Sequence, residues 1–114
     1  MEERLFRTRE RGFEAQFAHE QEMAFRMQAR RDKLFGLWVA ERLGRRGAAA
    51  ETYAASFITL SARQDRDQAV LAKAIAELGA ASAPIDEPAI RAAFAQCMLR
   101  ARAEVTQEPR PPLG

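Results

Sequence analysis

The stretch that decides the fold is residues 13–38, FEAQFAHEQEMAFRMQARRDKLFGLW. Counted from Phe6, its apolar residues Phe6, Phe13, Phe17, Ala24, Met27, Leu34 and Trp38 follow spacings of seven, four, seven, three, seven and four. A half-buried strand would alternate every second residue, whereas these spacings keep returning to one side of an α-helix. The segment therefore predicts a long amphipathic helix that lays this stripe on a core, with Trp38 as a core residue. Arg31 falls on the stripe and Glu20 on its margin, so burial along it is expected to be incomplete. Gly12 is expected to interrupt the helix near its start, since a glycine in an exposed helix costs roughly 1 kcal/mol relative to alanine. The first dozen residues thus read as a marginal helix, frayed when nothing binds them.

Outward from this stretch, glycine and proline mark the boundaries. Gly44 and Gly47 bracket a basic turn, and the next helix is expected over 48–62, with Tyr53, Phe57 and Leu60 as its heavier stripe and Ala50, Ala54 and Ile58 beside it. A third helix is expected to begin near Asp65, its carboxylate capping while Gln68 reaches back. Its buried residues would be Leu71, Ile75 and Leu78, flanked by Val70 and Ala74, and Gly79 would end it. The fourth has the clearest start: Asp86 as N-cap, Glu87 near the positive helix end, and Pro88 in the first turn. Ile85 and Ile90 are spaced as a hydrophobic staple, and the stripe continues through Phe94, Cys97, Ala101 and Val105. Residues 109–114, with Pro109, Pro111 and Pro112, read as a disordered tail. Four amphipathic helices with short connections make an all-α four-helix bundle the economical fold.

Composition fits that reading. The 114 residues suffice for one domain. Hydrophobic residues are 47%, much of it alanine, and aromatics only 8%, so a few large side chains must carry the core while helices approach closely over small ones. Charged residues are 30% and of both signs, for a net charge of +2, which suits salt-laced helical faces and does not demand nucleic acid. The single cysteine excludes an intramolecular disulfide and fits a reducing compartment. Without an apolar run of membrane-spanning length, and with a heavily charged N-terminus, the chain is expected to be cytoplasmic, with no direct membrane insertion.

The residues also say which chemistries lack their parts. Nucleophilic catalysis needs a base beside the nucleophile, and the only candidates are His19 and Cys97. Cys97 sits on an apolar stripe, where a free cysteine behaves as a small hydrophobe, and His19 beside Glu20 reads as an ordinary polar residue. No Gly-rich phosphate loop or dinucleotide fingerprint is present. Neither an enzyme nor a resident cofactor or metal is expected. The cluster Arg26, Arg30, Arg31, Lys33 could grip phosphates, but Glu22 and Asp32 break it and no aromatic interleaves to stack bases. A solvated face, or contact with an acidic protein surface, is the preferred reading.

Two motifs carry a family resemblance. Residues 9–20, RERGFEAQFAHE, are similar to a signature close to RE(K/R)(G/A)FEAKFAHD, and residues 29–41, ARRDKLFGLWVAE, resemble ARRN(K/R)LLGLWAAE. Leu43-Gly44 and residues 49–54, with Tyr53, keep the same pattern. Both belong to zeta, the inhibitor subunit that alphaproteobacteria attach to their F-type ATP synthase. The match is strong over residues 6–44 and loose after Ser56. The family's acidic run after the second helix is replaced here by a nearly neutral stretch, residues 59–68.

The resemblance implies a bundle over residues 18–108 and an inhibitory N-terminal arm over 1–17. Such an arm is largely disordered when free and folds as a helix on entering an alpha/beta catalytic interface of the synthase head. Lodged there against the rotor stalk, it blocks ATP hydrolysis. By position, Phe6, Phe13 and Phe17 would be the apolar anchors, and Arg9, Glu10, Arg11 and Glu14 the ion-pairing groups around Gly12. The expected partners are the alpha, beta and gamma subunits, with the free protein a monomer and the bound one peripheral to the inner membrane. The alternative is a non-inhibitory helical adaptor or nucleotide-sensing bundle.

Overall fold

The computed structural model describes residues 2–60, 62–82 and 85–108, with side chains from residue 9 onward. Four helices follow in order: α1 (Glu2–Arg42), α2 (Ala48–Ile58), α3 (Arg66–Ala80) and α4 (Glu87–Gln107). No strand occurs among the described residues, and the all-α expectation holds. The tail expected at 109–114 lies outside them.

α1 is the spine. It passes through Gly12 without a break and spans 41 residues, about 62 Å at 1.5 Å per residue. That accounts for most of the molecule's 69 Å longest extent, against 27 and 21 Å across. The radius of gyration, 18.5 Å, exceeds the roughly 13 Å of a compact chain this long, because the first half of α1 stands outside the bundle. α2 and α4 pack on the second half of α1, and α3 packs more lightly on α4 and α1.

The buried face of α1 is Arg31, Asp32, Phe35, Val39 and Ala40, with Gly36 also buried. This corrects the expected stripe. Leu34 and Trp38 are only half-buried, and Ala24 is exposed. A stripe read in sevens lags a 3.6-residue helix by about 20° per heptad. Counted from Phe6, the lag is about 80° at Leu34 and about 40° at Trp38, whereas Phe35 falls within about 20° of the Phe6 direction, so the core face moves on to Phe35 and Val39. Phe35 meets Phe57 and Phe94 edge-on at 6.0 and 5.1 Å between ring centroids, and Trp38 lies flat beside it at 5.8 Å. Trp38 is therefore an outer layer on Phe35, covered from solvent by Arg42, whose guanidinium lies 4.0 Å from the indole ring.

Small residues set the distance between α1 and α2. A Cβ on Gly36 would lie 2.8 Å from Ala54 Cα and 3.0 Å from Phe57 Cδ2, inside any tolerable contact. Gly36→Ala should therefore push α2 outward and lower stability by about 1–3 kcal/mol in a urea melt, although alanine is the better helix former.

The turn after α1 uses its glycines as expected. Gly44, at φ +78°, takes the left-handed position of a helix-ending motif, with Arg45 N–H donating to Ala40 O and Gly44 N–H to Glu41 O. α4 also begins as read: Asp86 is extended, its carboxylate accepts from Ala89 N–H at 2.9 Å, and Pro88 lies in the first turn. Ile90 is buried and Ile85 packs on the same core. Val105 and Ala101 are buried, Phe94 and Cys97 half-buried.

Three helix ends differ from expectation. α2 stops at Ile58, with Ile58 itself exposed. Asp65 makes no side-chain cap for α3. Its backbone is not extended, and its carboxylate is taken by Arg63 at 2.8 and 3.0 Å. α3 buries Val70, Ala74 and Leu78, leaving Leu71 and Ile75 half-buried at the edge. Gly79 does not end the helix; it lies in the last turn, and the left-handed residue beyond is Ser82, at φ +58°.

Candidate functional site

The surface that differs from an ordinary bundle is the free half of α1. Every described side chain from residue 9 to residue 22 is exposed. Phe13 is 72% and Phe17 56% exposed, one turn apart, so the helix presents a paired aromatic face to water. Isolated helical segments of about this length are marginal in water, and no tertiary packing supports this one. Phe25, also more than half exposed, adds a third ring about two turns beyond Phe17. The seven-residue stripe had passed over it.

Around these rings, Arg9, Glu10, Arg11 and Glu14 are exposed and form no ion pair with another described side chain. Gly12 has open space where a Cβ would point, so no described residue requires glycine there. The structure thus gathers Arg9, Glu10, Arg11, Gly12, Phe13, Glu14 and Phe17 on one exposed helical segment. The side chain of Phe6 lies outside the described residues.

Several charges of the bundle proper are, by contrast, engaged within the molecule. Arg31 is 3% exposed: it donates to Asp32 at 3.0 Å and to Asp67 at 2.7 Å, and its guanidinium stacks 4.4 Å from the Phe94 ring. Burial along the stripe is incomplete as expected, but not at Arg31, because α3 supplies a carboxylate and α4 a ring. Asp32 is fully buried and its Oδ2 accepts no hydrogen bond from the described residues. Burial holds its carboxyl above the ordinary range, and Arg31 offsets part of that rise. Arg26 and Arg30 pair with Glu108, and Arg30 also approaches Glu104 at 3.8 Å. For Arg26 and Arg30 of the basic cluster, the acidic surface contacted is therefore the end of α4, while Lys33 is exposed.

Two other features bear on chemistry. Cys97 packs against the core and burial pushes its thiol up, away from the reactive thiolate, while His19 lies exposed on the free half of α1. A groove between α2 and α3 is lined by Leu43, Arg45, Tyr53, Lys73 and Glu77. Its polar groups satisfy one another: the Tyr53 hydroxyl and Lys73 both donate to Glu77, and the Arg45 guanidinium covers the Tyr53 ring at 4.6 Å. Among the described residues no group of three or more metal-ligating side chains converges, and no helix is long and apolar enough to cross a membrane.

The family model described as ATPase inhibitor subunit zeta matches residues 2–104, spanning the free half of α1 and almost all of the bundle. No curated protein and no solved structure matches the chain.

Proposed function

This chain belongs to the ATPase inhibitor subunit zeta family, and from that premise we propose that it inhibits an F-type ATP synthase through residues 1–17. The arm enters an alpha/beta catalytic interface of the synthase head as a helix and lodges against the rotor stalk, blocking the rotation that accompanies ATP hydrolysis. The bundle, residues 18–108, stays outside and anchors the subunit. Phe6, Phe13 and Phe17 are the apolar anchors in this reading, and Arg9, Glu10, Arg11 and Glu14 pair with charges lining the cleft. Gly12 gives close approach to a facing backbone. The protein acts as a regulator and not a catalyst, at the cytoplasmic side of the inner membrane, and is a monomer when free.

One observation carries the proposal: two phenylalanines, 72% and 56% exposed, stand one turn apart on a helix that the bundle does not cover. Exposed aromatic anchors with exposed charges around them are what a helix-in-groove contact requires. Coupled folding of a marginal segment also tolerates the open-chain state implied for the free arm.

The test is deletion of residues 1–17. The full chain should suppress ATP hydrolysis by the cognate enzyme, and the truncated chain should keep its melting transition yet suppress nothing. Full inhibition by the truncated protein would sink the arm mechanism. Stoichiometric binding of the full chain to another partner or to an adenine nucleotide, without effect on hydrolysis, would instead identify a non-inhibitory adaptor.

A further inference from the structure

Where α1 leaves the bundle, one carboxylate holds it. Going toward the N-terminus, Arg31 is the last buried side chain, and residues 26–30 are only half-buried. Across this interval the ion pairs joining α1 to the bundle all run to the end of α4. Arg26 Nη2 meets Glu108 Oε2 at 2.6 Å, Arg30 donates to the other Glu108 oxygen, and Arg30 also reaches toward Glu104. Glu108 is the C-cap of α4, and the last turn of that helix holds no basic residue. Carboxylates at the negative end of a helix are unfavourable on their own, so α4 needs those arginines as much as α1 needs the carboxylates. The two guanidiniums, that of Arg30 above all, hold the Glu108 carboxyl below the usual carboxylate range.

We propose that Glu108, gripping Arg26 and Arg30 together, is a positioning residue for the arm, fixing where α1 leaves the bundle and the direction in which it projects. The inference rests on the reading of residues 1–17 as the inhibitory segment. The bridging geometry makes Glu108 differ from the exposed pairs elsewhere on α4. Arg91–Glu87 and Arg100–Glu104 each join residues four apart on one helix, whereas Glu108 joins two helices across 78 and 82 residues of chain. Its loss should free several turns of α1 that have little else to hold them, without opening the core above Arg31.

Glu108→Gln in the full chain tests this by amide hydrogen exchange. Amides of residues 18–30 should exchange about fivefold faster, those of α2 and α3 should not change, and Glu108→Lys should have a larger effect because it repels both arginines. Salt near 1 M should bring the wild-type rates toward those of Glu108→Gln. The concentration for half-inhibition of hydrolysis should rise about threefold to fivefold, as preorganisation is lost, while Glu87→Gln, at the far end of α4, changes neither readout. Unchanged exchange at residues 18–30, an even rise through all four helices, or unaltered inhibition would overturn the proposal. The exchange readout needs no partner. Failure of the arm mechanism, read from deletion of residues 1–17, is therefore distinguishable from failure of the clamp.

Discussion

Phe35→Ala should lower the free energy of unfolding by about 3–5 kcal/mol, a large share of the roughly 5–15 kcal/mol that holds a small domain together. The ring is fully buried and touches three aromatic partners: Phe57 on α2, Phe94 on α4 and Trp38 on its own helix. Truncation leaves a cavity where three helices meet, and none can close it freely, because Gly36 already brings α1 and α2 to backbone contact. Trp38→Ala is the informative control. Its ring is half-buried and faces Arg42 on the outside, so the site fills with water instead of leaving a dry void, and the loss should be about 1–2 kcal/mol. Urea titrations of both variants measure the difference. A larger loss for Trp38→Ala would show that the tryptophan is the true centre of the core.

The second large effect should appear in a different assay. Phe13→Ala and Phe17→Ala should each leave the unfolding free energy within about 0.5 kcal/mol of wild type, since neither side chain is covered. If residues 1–17 act as proposed, each should weaken inhibition by about 2 kcal/mol or more, a loss of about thirtyfold. The double variant need not sum, because both rings would enter one cleft and the first truncation loosens the second. Dose–response curves of ATP hydrolysis against each variant, beside thermal melts, separate binding from folding. A drop in stability that matches the loss of inhibition would show that these rings belong to the fold after all.

The contrast between these two sets of residues shows what a sequence reading can reach. Features built from neighbours were legible: the Asp86 cap with Pro88 behind it, the Gly44 turn, and the three-and-four spacing that made α1 a helix. Features needing a partner far along the chain were not. Arg31 looked like a defect in the stripe because Asp67, which completes it, lies 36 residues away. Arg26 and Arg30 read as a solvated face or a contact for an acidic protein surface, while their carboxylates stood at the other end of the sequence. Asp65 had the residue type and spacing of a cap, but Arg63 competes for the same oxygens at two residues' distance. The choice of core face on α1 failed for a quantitative reason, the slow lag of a seven-residue count behind a 3.6-residue turn. Of the candidate site, exposure of the aromatic pair follows from the structure, whereas the role given to it comes from the family resemblance.

The unbroken course of α1 has one more consequence, which is a matter of phase. Phe13 precedes Arg31, and Phe17 precedes Phe35, by eighteen residues each, about five full turns at 3.6 residues per turn. Whenever the arm is helical, its aromatic face therefore points along the same side on which α1 enters the core. Removing one residue from the span between them would swing that face by about 100° and draw it in by about 1.5 Å, while removing seven would turn it by only about 20°. The span is thus a count and not a tether: the number of residues between Phe17 and Arg31 sets how the bundle is aimed once the rings are held.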